Sequence, residues 1–194
     1  MLEVISSSFL LVATSEIGDK TQLLAFSLAA RFKKPWPVMA GIFVATILNH
    51  SLASFAGQWV SHVFNQAALE YVLGASFIVF GFWTLMPDSL DDEAKHPKLD
   101  PFLATAVLFF FAEMGDKTQF ATLALSARFQ SIWLVTVGTT AGMLLADGLA
   151  VFLGGKLSEK ISMNWMRRIA AFLFFLFGLF SLAHAMRSSG LLIF

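Results

Sequence analysis

The chain has 194 residues, 57% of them hydrophobic and 13% charged, with 22 phenylalanines and a formal net charge of zero. A soluble domain carries roughly 45–50% apolar and about a quarter charged residues, so an ordinary globular domain is excluded and a membrane protein is indicated. Cysteine is absent, which excludes disulfides and thiolate metal ligands, and the neutral charge gives no footing for nucleic acid.

Six apolar segments follow in chain order, each near or above the roughly 20 residues a helix needs to cross the hydrocarbon core. The first covers 4–30 and contains a charged heptad, EIGDKTQ, from Glu16 to Gln22. No basic stretch precedes it, so a cleavable signal is not expected. The second, 37–60, opens at Pro35 and Pro37 and holds Asn49 and His50 in mid-span. The third, 68–86, is closed by Pro87. An acidic linker follows at 88–100, DSLDDEAKHPKLD, whose Asp88, Asp91, Asp92 and Glu93 read as solvated. The fourth segment, 101–127, opens at Pro101 and carries a second heptad, EMGDKTQ, from Glu113 to Gln119. The fifth, 132–154, holds Asp147, and the sixth covers 166–186. These runs are too long for barrel strands of about 10 alternating residues, so the expected fold is an all-α membrane protein with six transmembrane helices.

The two halves align without a gap at one offset of 97 residues. Glu16, Gly18, Asp19, Lys20, Thr21 and Gln22 fall on Glu113, Gly115, Asp116, Lys117, Thr118 and Gln119. Leu28, Ala30, Arg31 and Phe32 fall on Leu125, Ala127, Arg128 and Phe129, and Trp36, Gly41, Gly57 and Gly81 on Trp133, Gly138, Gly154 and Gly178. That is an internal duplication: a first repeat at 1–87, the linker at 88–100 and a second repeat at 101–194. Three spans is an odd number, so the repeats are expected to be inverted, with a shared site near the midplane. Arg31, Lys33, Lys34, Lys95, Lys98, Lys156, Lys160, Arg167 and Arg168 gather on one side and only Arg128 and Arg187 on the other. The first side is expected to be cytoplasmic, leaving both termini outside.

On continuous helices Glu16, Asp19 and Lys20 would project from one face, as would Glu113, Asp116 and Lys117. A charge at the bilayer centre costs at least about 2.5–3.5 kcal/mol, so these groups must face the bundle interior. A self-neutralising Glu–Lys pair is the plain alternative, and it leaves Asp19 and Asp116 without a purpose. Four carboxylates and two lysines sum to −2, which suits one divalent cation with oxygen ligands. Gln22, Gln119, Thr21 and Thr118 could add amide and hydroxyl oxygens. Gly18 and Gly115 either loosen the helix and expose carbonyls or serve small-residue packing. Thr21 reaches the acidic face only in the first case. Asn49, His50 and Asp147 are candidates for a proton relay or outer shell, His50 and Asp147 being equivalent at the offset of 97. Met114 beside Glu113 would favour Mn²⁺, but its counterpart is Ile17. His62 and His96 read as loop residues, and His184 as interfacial.

The doubled E-x-G-D-K-[ST] motif, one per three-span half, resembles the GDT1/TMEM165 (UPF0016) family, over nearly the whole chain and with both motifs intact. The resemblance implies secondary transport of Mn²⁺ and in some members Ca²⁺, with H⁺ as the coupling ion, no prosthetic group and the carboxylates of Glu16, Asp19, Glu113 and Asp116 as the working residues. A short chain without an extension resembles the bacterial type, a manganese exporter of the cytoplasmic (inner) membrane.

The expected function is thus Mn²⁺ export in exchange for H⁺, by alternating access and without enzymatic chemistry. Lys20 and Lys117 would balance charge, and the emptied carboxylates would repel one another and favour proton uptake. A Ca²⁺/H⁺ exchanger or a broad divalent-cation carrier is the near alternative. An ion channel and an intramembrane aspartyl protease built on Asp19 and Asp116 are the remoter ones; the extra lysines and glutamates suit a shared-proton dyad poorly. The expected partners are the cation, membrane lipid and a second copy in a homo-oligomer.

Overall fold

The computed structural model describes residues 1–86, 100–153 and 163–188. The linker acids Asp88, Asp91, Asp92 and Glu93, together with His96, Pro87, Gly154 and the lysines at 95, 98, 156 and 160, lie outside the described residues. Every regular element among the described residues is an α-helix: α1 Leu2–Glu16, α2 Lys20–Phe32, α3 Pro35–Val63, α4 Gln66–Leu85, α5 Pro101–Glu113, α6 Lys117–Phe129, α7 Ile132–Leu153 and α8 Met163–Ser188. Four stretches, Pro35–Val63, Ala68–Leu85, Ile132–Leu153 and Arg168–Arg187, are long and apolar enough to cross a membrane, and Pro101–Glu113 is a shorter apolar helix. The chain is a multi-pass, all-α membrane protein.

The second, third, fifth and sixth expected segments are single helices. The first and fourth are not: each is broken inside its heptad, between α1 and α2 and between α5 and α6. The reading of Glu16, Asp19 and Lys20 as one helical face is therefore corrected, because no continuous helix carries them. His62 also differs from its loop assignment; it sits exposed in the last turn of α3.

Glycine fixes how the helices meet. On α7, a Cβ at Gly138 would lie 2.7 Å from the Ile5 carbonyl oxygen, and one at Gly142 would lie 2.7 Å from that of Phe9 and 2.9 Å from the Ala13 nitrogen. The two helices therefore run in the same direction. On α3, Gly41 meets Phe102 and Thr105 of α5. Farther along, the Asn49 amide donates to the Phe110 carbonyl at 2.9 Å, and Gly57 meets Leu123 and Ser126 of α6. The broken α5–α6 unit thus runs parallel to α3 along most of its 29 residues, about 43 Å at 1.5 Å per residue. Each first-segment helix packs on the second-segment helix of the other half, α1 on α7 and α5 on α3, so the halves interlock.

A methyl at Gly57 would lie 2.1 Å from the Leu123 carbonyl oxygen. Gly57→Ala is expected to destabilise the fold by about 1–3 kcal/mol, the usual cost of overpacking, read as a lowered melting temperature in detergent.

Two apolar clusters flank the crossing. One joins Leu11, Phe77, Leu125, Val135 and Phe174; the other joins Leu24, Leu28, Ile42, Phe109 and Val151. Outward faces are apolar too: Leu52, Phe55, Phe82, Phe172 and Phe180 are exposed, as suits lipid contact. Exposed Trp36 and Trp133 stand at equivalent places in the first turns of α3 and α7, where interfacial indoles belong.

Candidate cation site

Each heptad folds as a turn between two helices. Glu16 ends α1, Ile17 takes φ −64 and ψ 113, Gly18 takes φ 88, and the Asp19 N–H donates to the Glu16 carbonyl at 3.0 Å. The second heptad repeats it: Met114 at φ −66 and ψ 120, Gly115 at φ 77, and Asp116 N–H to Glu113 carbonyl at 3.1 Å. This is a type II turn, whose third residue needs positive φ and therefore glycine. Of the two readings of Gly18 and Gly115, the broken helix is the one the fold adopts.

The break turns the remaining heptad residues into a capping set. Asp19 and Asp116 become the N-caps of α2 and α6 with extended backbones. Asp116 Oδ1 accepts from the Lys117 N–H at 2.5 Å. Three residues on, Gln22 Oε1 accepts from the Gly18 N–H at 2.9 Å, and Gln119 Oε1 from the Gly115 N–H at 2.7 Å. Such backward reach from the third helical position is the second arm of a capping box, shifted by one residue. The glutamine amide oxygens, expected as ligands, are thereby engaged in holding the turns. Their amide nitrogens reach across the molecule, Gln22 to the Ala146 carbonyl at 2.9 Å and Gln119 to Asn49 Oδ1 at 3.2 Å. Asn49 is thus a brace between α3, α5 and α6.

The break also brings the threonines round. Thr21 donates to Glu16 Oε2 at 2.6 Å, and Thr118 to Glu113 Oε2 at 3.3 Å. The other oxygen of each glutamate, Oε1, is buried and has no hydrogen-bond partner among the described residues.

The lysines make ion pairs across the two heptads. Lys117 Nζ pairs with Asp19 at 2.6 Å, and Lys20 Nζ with Asp116 at 3.1 Å. The pairs are reciprocal across the two halves, so the two motifs occupy one place. Their environments differ: the Lys117–Asp19 side chains are 4% and 1% exposed, whereas Lys20 is 32% exposed. Glu16 and Glu113 are both fully buried, and Glu16 lies within electrostatic reach of Asp116 and Lys117. Among the described residues no three acidic or histidine side chains are gathered as a finished metal cluster. The two ammonium groups instead hold aspartate oxygens.

His50 and Asp147 are fully buried on α3 and α7. Neither ring nitrogen of His50 and neither oxygen of Asp147 has a hydrogen-bond partner among the described residues. Met114 is 52% exposed. A cluster that sequence reasoning missed sits at the end of α6. Arg128 pairs with Glu70 of α4 at 3.5 Å, contacts Ser181 of α8, and lies 5.0 Å over the Phe180 ring; His184 stands 3.7 Å from Glu70. Its members come from three separate helices, so no local spacing announces it.

A family described as "Divalent cation/proton antiporter GDT1" matches the chain twice, over residues 4–92 and 101–189. The second match begins and ends 97 residues after the first, the offset read from the sequence. A protein of Vibrio cholerae described as "Putative manganese exporter" is 43% identical, over 92% of this chain and 90% of its own length. A "GDT1-like protein" of Synechocystis is 29% identical over 93% of this chain and 97% of its own length. "GDT1-like protein 3" of Arabidopsis thaliana is 27% identical over 90% of this chain and 68% of its own length. No solved structure matches the chain. The family consists of transporters, which removes the protease alternative. With two matched copies spanning nearly its whole length, this chain belongs to the GDT1 family of divalent cation/proton antiporters.

Proposed function

We propose that the chain exports Mn²⁺ across a bacterial inner membrane in exchange for protons, with Glu16, Asp19, Glu113 and Asp116 holding the cation at one shared site. The reciprocal Lys117–Asp19 and Lys20–Asp116 pairs carry this reading, because they place both half-sites together. An arriving dication competes with the two ammonium groups for the aspartates, while Glu16 and Glu113 each hold a buried oxygen without a hydrogen-bond partner among the described residues. When the cation leaves, the carboxylates are again like charges in a dry place, and lysine contact and proton uptake restore balance. The threonines and glutamines fix the carboxylates and turns around it. The α2 and α6 N-termini at Asp19 and Asp116 lie beside the last carbonyls of α1 and α5, the pairing of broken-helix ends that carriers use for ions. Manganese as the exported ion is supported by the description of the Vibrio cholerae relative; Ca²⁺ remains the near rival, since both cations take oxygen ligands.

The reading includes six crossings in two inverted repeats, 1–87 and 101–194, with both termini outside. It is supported by the register of α5–α6 along α3 and of α1 along α7. It also includes alternating access. Most contacts between halves have a counterpart across the repeats, but α3 packs more extensively on α6 than α7 on α2, and α4 on α6 and α8 on α1 have no equally close counterparts at α2 and α5. The α4–α8 pair therefore leans to one side, and the Arg128–Glu70–Ser181 contacts fasten it there. Glu70→Ala is expected to loosen this side, seen as a several-fold rise in the labelling rate of a single cysteine placed at Ser7, which lines the same cavity as Arg128 and Phe180.

The test of function is flux in proteoliposomes under an imposed pH gradient, with Mn²⁺, Ca²⁺ and Mg²⁺ compared. Mn²⁺ is expected to move against a proton flow without channel-like conductance. If no cation moves, the carrier reading fails.

A further inference from the structure

The doubled motif supplies four carboxylates, and a fifth lies within electrostatic reach of two of them, Glu16 and Glu113. Asp147 belongs to neither heptad. It lies on α7, fully buried, and neither of its oxygens has a hydrogen-bond partner among the described residues. A buried carboxylate left so is costly unless something positive or a proton completes it.

Its level along the bundle follows from the α1–α7 register. Gly138 meets Ile5 and Ser8, and Gly142 meets Phe9, Val12 and Ala13. One further turn on each helix sets Ala146 beside Glu16 and Ile17. The Gln22 amide, bonded to the Ala146 carbonyl at 2.9 Å, pins that level from the first turn of α2. Asp147 therefore stands at the break of the first half, and Glu16 and Glu113 are both within its electrostatic reach.

The counterpart of Asp147 is His50, at the break of the second half. The two half-sites are thus unlike: the α1–α7 side has an extra acid and the α5–α3 side an imidazole. We infer that Asp147 is a fifth oxygen donor to the transported cation, so that the ion sits off the pseudo-symmetry axis toward α7. This rests on the proposed shared site and adds to it a ligand outside the motifs. The donor set becomes richer in hard oxygen, the chemistry that Mn²⁺, Ca²⁺ and Mg²⁺ share.

The test is Mn²⁺ binding to the purified protein, followed by the loss of the free-ion electron paramagnetic resonance signal, with the shift in melting temperature on adding Mn²⁺ as a second readout. Asp147→Asn is expected to weaken Mn²⁺ binding by at least about tenfold and to abolish most of the Mn²⁺-induced shift. His62→Gln, exposed in the last turn of α3, is expected to leave binding unchanged. If D147N binds Mn²⁺ as the wild type does while Glu16→Gln does not, the inference is wrong and the shared site stands. If E16Q also binds normally, the site assignment itself fails. Should D147N not fold, Asp147→Glu decides: a ligand displaced by one methylene weakens binding several-fold, and unchanged affinity overturns the inference.

Discussion

Glu16→Gln is expected to cut Mn²⁺ flux by about 100-fold, equivalent to roughly 3 kcal/mol for the loss of one buried charged partner. Glu113→Gln is expected to do the same, because the two occupy equivalent places at the ends of α1 and α5. Both residues are fully buried, and each keeps one oxygen on a threonine hydroxyl. Glutamine can still accept that bond, so the turn and the cap survive while the charge goes. A protein that elutes and melts like the wild type but transports about 100-fold more slowly is the expected outcome. Wild-type flux from either variant would mean that the glutamates do not touch the cation.

The second large effect is an asymmetry between two lysines that look identical in sequence. Lys117→Met removes the ion-pair partner of Asp19 in a place where both side chains are almost fully buried, at 2.6 Å. Breaking such a pair costs about 3–5 kcal/mol. Lys20→Met removes the partner of Asp116, but Lys20 is one-third exposed and its contact is longer, 3.1 Å. Solvent screening reduces that loss to about 1 kcal/mol or less. Melting temperatures in detergent should therefore fall far more for K117M than for K20M. Added Mn²⁺ should recover part of the difference, because the cation supplies the positive charge that Asp19 has lost. Equal losses, with no response to Mn²⁺, would show that the lysines do not stand where the cation binds.

Much of this architecture is legible from residues alone. The offset of 97 pairs Glu16 with Glu113 and Asp19 with Asp116, and the double family match falls on the same offset. The apolar runs over α3, α4, α7 and α8 announce their helices. The break at the heptads is less legible, because glycine in a membrane helix serves close packing as readily as a turn. Gly57 and Gly142 do the former, and Gly18 and Gly115 the latter. One signal did mark the break: an Asp followed three positions later by Gln, at 19–22 and again at 116–119, is a helix-start pattern. Inside an apolar run it is easily overlooked. The lysine partners cannot be read from spacing, because local reasoning pairs Lys20 with Glu16 and the fold pairs it with Asp116. Arg128, Glu70 and Ser181 likewise meet only through the packing of α4, α6 and α8.

The central claim is that two half-sites make one cation site. Counting bound Mn²⁺ per chain tests it most directly, by equilibrium dialysis of the purified protein and of two variants, Glu16→Gln with Asp19→Asn, and Glu113→Gln with Asp116→Asn. The account predicts one high-affinity Mn²⁺ for the wild type and none for either variant. Two ions in the wild type, with one retained in each variant, would mean separate sites and would contradict it.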